Sequence, residues 1–281
     1  DQGLDAAILR KLDIPVGEKP QLGPWRSFLD RRQKATEVVN IGLVGKYDLQ
    51  DAYKSILESL AHAGTYNDHK VHTHFINSEQ ITPENVAEKL SGLDGVVVCP
   101  GFGQRGIEGK ITSIQYTREH DIPTFGICLG MQMMVIEFAR NVLGYADANS
   151  REMDVKTPHN VIDIMEEQKN ITNMGGTMRL GAYECQIKEG SRTWEAYNHQ
   201  DSVRERHRHR YEFNNNYKQE YEEKGMKCVG TNPESNLVEI VEIPTLKWFI
   251  GTQFHPEYSS TVLKPHPLFM SFVKACIDNK K

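Results

Sequence analysis

Cys128 stands in the run Thr124-Phe125-Gly126-Ile127-Cys128-Leu129-Gly130, where residue types and spacing suit nucleophilic chemistry. A short apolar strand leads into the cysteine, a helical pattern leaves it, and a glycine lies two positions away on each side. Small residues at those positions permit the sharp strand-to-helix turn that pushes a side chain out at a sheet's carboxyl edge. The helix that follows would aim its N-terminal N–H groups at the sulfur and favour thiolate. The competing reading is a small buried hydrophobe. Cys99, Cys185, Cys228 and Cys276 keep that reading, because none has comparable surroundings.

A thiolate nucleophile needs a base, and the base needs a group to orient it. Gln253-Phe254-His255-Pro256-Glu257 supplies both at the end of an apolar run. Pro256 prevents His255 from entering a helix, and in extended chain residues two apart face the same side. His255 is therefore the candidate base, with Glu257 fixing its tautomer and stabilising its imidazolium. An oxyanion would need two N–H donors. Leu129, just after the cysteine, offers one, and the loop after Val96-Val97-Val98-Cys99 offers another. Pro100 lacks an N–H, so Gly101 is the expected second donor.

Other motifs do not extend this chemistry. His72 and His74 alternate in a strand-like run without an evident third ligand, so no metal site is assigned. His207 and His209 fall in the basic run from Arg204 to Arg210, read as a solvated face. Gly103 to Lys110 has the wrong spacing for a phosphate loop and no Ser or Thr after its lysine. Asn170-Ile171-Thr172 matches a glycosylation acceptor, without consequence in a cytosolic chain.

These residues must be positioned by a fold. Apolar runs at 38–44, 71–76, 96–99 and 124–127 read as strands, and amphipathic patterns at 51–63, 83–90, 107–119 and 131–143 as helices. Alternation of this kind predicts a three-layer α/β domain with a mainly parallel central sheet and helices on both faces. A polar stretch then holds runs at 161–165 and 178–187, and residues 201–227 are strongly charged. Strand-like runs at 237–243 and 248–254 return to the core, and a helix at 267–279 closes the chain. That middle portion makes a small antiparallel excursion. Residues 1–35 read as a tail or linker: a short helix at 4–12, Pro- and Gly-rich punctuation through Pro24, and then Trp25, Phe28 and Leu29 pinning it to the domain at 36–281.

Composition bounds the function classes. The 281 residues are 38% hydrophobic and 25% charged, which excludes collagen-like, coiled-coil and wholly disordered chains. No apolar run approaches the roughly 18 residues of a membrane helix, and no secretory signal is visible. A net charge of -5 argues against a nucleic-acid surface. Five scattered cysteines without a CxxC pair suit a reducing cytoplasm. The first residue is not Met, which reads as a piece of a longer chain.

Gly126-Ile-Cys-Leu-Gly-Met-Gln132 together with Phe254-His-Pro-Glu257 resembles the class I (triad) glutamine amidotransferases. Pro100-Gly-Phe-Gly-Gln-Arg-Gly-Ile-Glu-Gly-Lys110 and Arg206-His-Arg-His-Arg-Tyr-Glu212 narrow the resemblance to the glutaminase domains of the CTP synthase family. It covers about residues 38–277. It implies Cys128 as nucleophile, His255 as base and Glu257 as orienting group. It also implies L-glutamine held by Gly101, by Leu129, Gly130, Met131 and Gln132, and by Glu152 and Arg210. A carboxylate such as Glu152 suits the substrate ammonium, and a guanidinium such as Arg210 its carboxylate. Where the family often has two glycines before the Phe, this chain has Pro100-Gly101.

The resemblance further implies no cofactor in this domain. ATP, magnesium and UTP belong to an absent synthetase domain, to which residues 1–35 would lead. GTP is implied as allosteric activator near Phe102 and Arg105, and the full-length enzyme as a homo-oligomer. Two other readings stay open: a cysteine hydrolase of other γ-glutamyl amides or peptides, and a catalytically silent assembly or regulatory module.

Overall fold

The structure, a computed structural model, describes residues 3–17, 21–47, 50–164 and 178–280. The glycosylation-like triplet at 170–172 and the end of the 161–165 run lie outside these residues. In chain order the elements are α1 (Leu4–Lys11), α2 (Gly23–Lys34), β1 (Val38–Gly45), α3 (Lys54–Tyr66), β2 (Lys70–Asn77), α4 (Val86–Lys89), β3 (Gly95–Val98), α5 (Ile107–Glu119), β4 (Thr124–Ile127) and α6 (Leu129–Phe138). There follow β5 (Asn149–Ser150), β6 (Asn160–Ile164), β7 (Arg179–Ile187), α7 (Arg192–Ala196), β8 (Ser202–His209), β9 (Tyr211–Phe213), α8 (Lys218–Lys224), β10 (Lys227–Thr231), β11 (Val238–Glu242), β12 (Phe249–Thr252) and α9 (Pro267–Asn279).

The main sheet runs β2-β1-β3-β4-β12-β11-β10-β7-β8. Its first five strands are parallel, and every later pairing is antiparallel. Parallel strands must be covered on both faces, which is why β3 and β4 are buried at every residue. One face packs on α3 and α9 and the other on α5 and α6, giving two apolar cores. Helix α6 is buried at all ten positions, and its two polar side chains are paired, Gln132 with the Tyr211 carbonyl and Glu137 with Arg118. The antiparallel part is larger than the sequence suggested: β11, β10, β7 and β8 extend the main sheet, while β5, β6 and β9 form a separate small one.

Several expectations need correction. Helix α6 begins at Leu129, directly after Cys128, and ends in a wider π turn at Ala139–Leu143. The helix expected at 83–90 shrinks to one turn, Val86–Lys89. The Pro-rich segment before residue 35 contains α2, because Pro24 occupies its first turn, where the missing N–H costs nothing. Of Trp25, Phe28 and Leu29, Phe28 alone is buried, packing against the rings of His62 and Tyr66 at 6.1 and 5.9 Å, while Arg31 adds a pair with Asp68 at 3.0 Å. Trp25 and Leu29 are exposed.

The charged run near residue 205 is not a solvated face. In β8, Arg204, Arg206 and Arg208 face out, whereas Glu205, His207 and His209 are buried. Strand period two makes one charged sequence serve two environments.

Candidate active site

Three adjacent parallel strands, β3, β4 and β12, end side by side. Val98 is level with Gly126, and Ile127 with Thr252. The residues just beyond those ends are Gly101, Cys128 and His255. Sheet register thus gathers groups far apart in sequence at one carboxyl edge, the usual ligand edge of an α/β sheet.

Cys128 has φ 52° and ψ -103°, a conformation L-residues avoid. Its N–H donates to the Thr252 carbonyl at 2.7 Å, tying the bend to β12. The flanking glycines are required by close approach. A Cβ on Gly130 would lie 2.1 Å from the Val98 carbonyl oxygen, and one on Gly126 2.8 Å from the Gly130 backbone. Because α6 starts at Leu129, Cys128 is its N-cap residue, at the positive end of the helix, where the first-turn N–H groups lack intrahelical acceptors.

His255 Nδ1 meets Glu257 Oε1 at 2.7 Å, both side chains buried. The His255 N–H donates to the Arg206 carbonyl at 2.8 Å, and the ring stacks on Tyr258. Nε2 is buried and has no hydrogen-bond partner among the described residues, and the Cys128 sulfur, together with Glu257, favours the charged ring. Burial alone would strip the ring of its proton. The Cys128 sulfur and Glu257 outweigh it and raise His255 to about 11. The imidazolium is thus the favoured form beside this sulfur.

A cavity opens beside the sulfur, lined by Gly101, Phe102, Cys128, Gln132, Glu152, Met178, His209, Arg210 and Tyr211. Glu152 Oε1 accepts from the Gly103 N–H at 2.9 Å. Gly101 faces the Leu129 side chain, a Cβ there lying 3.5 Å from Leu129 Cδ2. The Gln132 amide nitrogen donates to the Tyr211 carbonyl at 2.9 Å. The side chains of Leu129 and Met131, and Gly130, all expected at the substrate, do not line this cavity. They pack instead, Leu129 beside Gly101, Gly130 against Val98 and Met131 against Gly251.

Phe102 is half exposed at the cavity mouth, with the Arg208 guanidinium 5.9 Å from its ring centre. Its carbonyl accepts from Lys46 Nζ. Arg105 lies farther out, paired with Glu79 at 3.4 Å and 5.7 Å from the Tyr47 ring. His74 Nε2 meets Asn40 Oδ1 at 3.0 Å on β2, at the edge of the sheet.

The cavity also holds residues that the sequence reading missed. His209 and Tyr211 line it from β8 and β9, and Gln253 Nε2 lies 3.7 Å from Cys128 Sγ. Period-two alternation from Glu205 to His209 was the available signal for His209. Gln253 opens the run that holds the base, but the sequence gives it no role of its own.

The family model of class-I glutamine amidotransferases matches residues 48–275. The chain belongs to that family, in the branch formed by the glutaminase domains of CTP synthases. It is 73% identical to a CTP synthase of Bacteroides thetaiotaomicron, an alignment covering 100% of this chain and 52% of that protein. It is 56% identical to a CTP synthase of Flavobacterium johnsoniae, with the same coverage. The chain therefore spans about half the length of the curated relatives it matches. Among solved structures, the glutaminase domain of Trypanosoma brucei CTPS with bound acivicin superposes with a TM-score of 0.81. The two are 38% identical, over 85% of this chain and 94% of that one.

Proposed function

We propose that this class I amidotransferase domain hydrolyses L-glutamine to L-glutamate and ammonia with Cys128, His255 and Glu257. The Cys128 thiolate attacks the side-chain carboxamide carbon, and the resulting oxyanion sits between the N–H groups of Gly101 and Leu129. The His255 imidazolium gives its proton to the amide nitrogen, the C–N bond breaks, and ammonia leaves a γ-glutamyl thioester. Neutral His255 then takes a proton from water, whose oxygen attacks the thioester. The C–S bond breaks, its electrons return to sulfur, and glutamate departs.

One carboxylate oxygen of Glu152 is held by Gly103, leaving the other for the substrate ammonium, and Arg210 takes the substrate carboxylate. The observation that carries this reading is the buried His255, gripped by Glu257 through Nδ1 and acted on by the Cys128 sulfur. Hydrolysis by this route needs no cofactor.

For the longer protein, we infer that the ammonia aminates UTP to CTP in a synthetase half that binds ATP and magnesium, reached through residues 1–35. Phe102, exposed beside Arg208, suits stacking of a purine, so GTP would act there. Arg105 is the outer cation of the same face. Assembly as a homo-oligomer and residence in the cytoplasm belong to the same reading.

Intact mass after incubation with acivicin tests it. One adduct per chain, absent in Cys128→Ala, together with ammonia release from glutamine, is the expected result. Release from γ-glutamyl peptides but not glutamine would favour a different hydrolase. A folded but unmodified Cys128 would favour a silent regulatory module.

A further inference from the structure

Besides His255, Cys128 Sγ has two polar neighbours that pull its proton in opposite directions. The Arg208 carbonyl oxygen lies at 3.9 Å and can only accept, so it favours the thiol. Gln253 Nε2 lies at 3.7 Å and can only donate, so it favours the thiolate. Which way the Gln253 amide points therefore matters, and a backbone atom decides it.

The Tyr211 carbonyl cannot be flipped. It accepts from Gln132 Nε2 at 2.9 Å, which fixes the Gln132 amide with its nitrogen towards Tyr211. That same nitrogen lies 3.2 Å from Gln253 Oε1, so the Gln253 oxygen must face Gln132 and its NH2 must face the sulfur. His209 Nδ1 reaches the same carbonyl at 3.0 Å and must donate to it, which leaves His209 Nε2 to accept from His207 Nδ1 at 2.9 Å. The Gln253 backbone is pinned as well, its N–H donating to the Glu239 carbonyl at 2.8 Å. Gln253 is buried, so water does not compete for its amide.

We propose that Gln253 is a further catalytic residue of this site, its amide N–H holding Cys128 as thiolate and receiving the sulfur again when the thioester is hydrolysed. Gln132 is the positioning residue that keeps this amide turned. The inference deepens the glutaminase reading and rests on Cys128 being the nucleophile of that reaction. A donor to charged sulfur acts where charge appears, in the resting enzyme and as the C–S bond breaks, and scarcely on glutamine binding.

The test is the rate at which iodoacetamide alkylates Cys128 in the whole chain, followed against pH, with Cys128→Ser as the blank. Gln253→Met keeps length and removes the donor. Alkylation at neutral pH should slow about tenfold or more, the size of one hydrogen bond to a charged group, and the profile should move to higher pH. Turnover should fall by a similar factor, with KM for glutamine within about twofold. Gln132→Met should produce a smaller loss in the same direction.

A folded Gln253→Met chain that alkylates at the parent rate and pH profile would overturn the proposal. Should that variant fold poorly, Gln253→Glu, of the same shape, is read instead, and parental alkylation there overturns it equally. Alkylation needs no glutamine. A parent that leaves glutamine intact but whose alkylation depends on Gln253 would sink the glutaminase reading and with it the catalytic role, leaving Gln253 as the donor that holds the thiolate.

Discussion

Taking the charge from Glu257 changes when His255 gives up its proton. Burial lowers the ring's proton affinity, and the Cys128 sulfur and Glu257 raise it, with a net rise to about 11. In Glu257→Gln one of the raising charges is gone, so His255 deprotonates at lower pH. The imidazolium is the form that protonates departing ammonia. The alkaline limb of the kcat profile for glutamine should therefore move to lower pH, with kcat down by about 10²-fold or more. A limb that stays in place would show that Glu257 does not hold that proton. Cys128 and His255 were legible in the sequence because their signals are local, a tight turn before a helix and a His-Pro-Glu run after a strand. Gln253 and His209 were not, since a buried polar side chain is marked only by the partners that the fold brings to it, here Gln132, Tyr211 and His207.

At the scale of elements, the β4–α6 junction works only if two backbones nearly touch. A methyl on Gly130 would sit 2.1 Å from the Val98 oxygen, so β3 or the helix must move, and both carry the site. Gly130→Ala should cost about 3 kcal/mol or more in denaturant unfolding and abolish acivicin labelling even where the chain remains folded. Labelling at the parental rate would mean that the elbow tolerates displacement.

Helix α5 carries a second test. Lys110 is fully buried, its Nζ donating to the Cys99 carbonyl at 2.5 Å, and burial lowers it to about 8. Unfolded, it titrates near 10.5. Below about 8 the folded chain carries the cost of a buried ammonium. Between there and 10.5 the unfolded chain binds a proton that the folded one does not, so stability rises with pH. Relative to Lys110→Met, the parent should gain about 2–3 kcal/mol across that window in paired unfolding titrations. A constant difference would show that the ammonium is solvated. The sequence displayed Lys110 as the end of a failed phosphate loop and of a family-like run, but not as buried, because periodicity along α5 does not report that the Cys99 carbonyl lies over it.

At the scale of the molecule, the alternation of strands and helices to residue 143 was readable because each unit buries one face against the same sheet. The antiparallel half was less readable. Its strands carry charge on one side and buried polar pairs, such as Arg179 with Glu239 at 2.7 Å, on the other. The start of the folded body is also set by packing rather than by composition. Helix α1 buries none of its residues, whereas Phe28 of α2 is 4% exposed against His62 and Tyr66 of α3. A uniform linker through residue 35 would predict that Phe28 contributes no more than Leu4. The packing predicts otherwise. Deleting residues 1–17 should shift Tm by no more than about 1–2 °C, since none of the described residues 3–17 is buried. Phe28→Ala in the full chain should cost about 3 kcal/mol, about 5–6 °C in a domain of this size. Equal melting temperatures for Phe28→Ala and the parent would place α2 outside the cooperative unit. A large loss on deleting 1–17 would mean that α1 supports the body through contacts other than apolar burial.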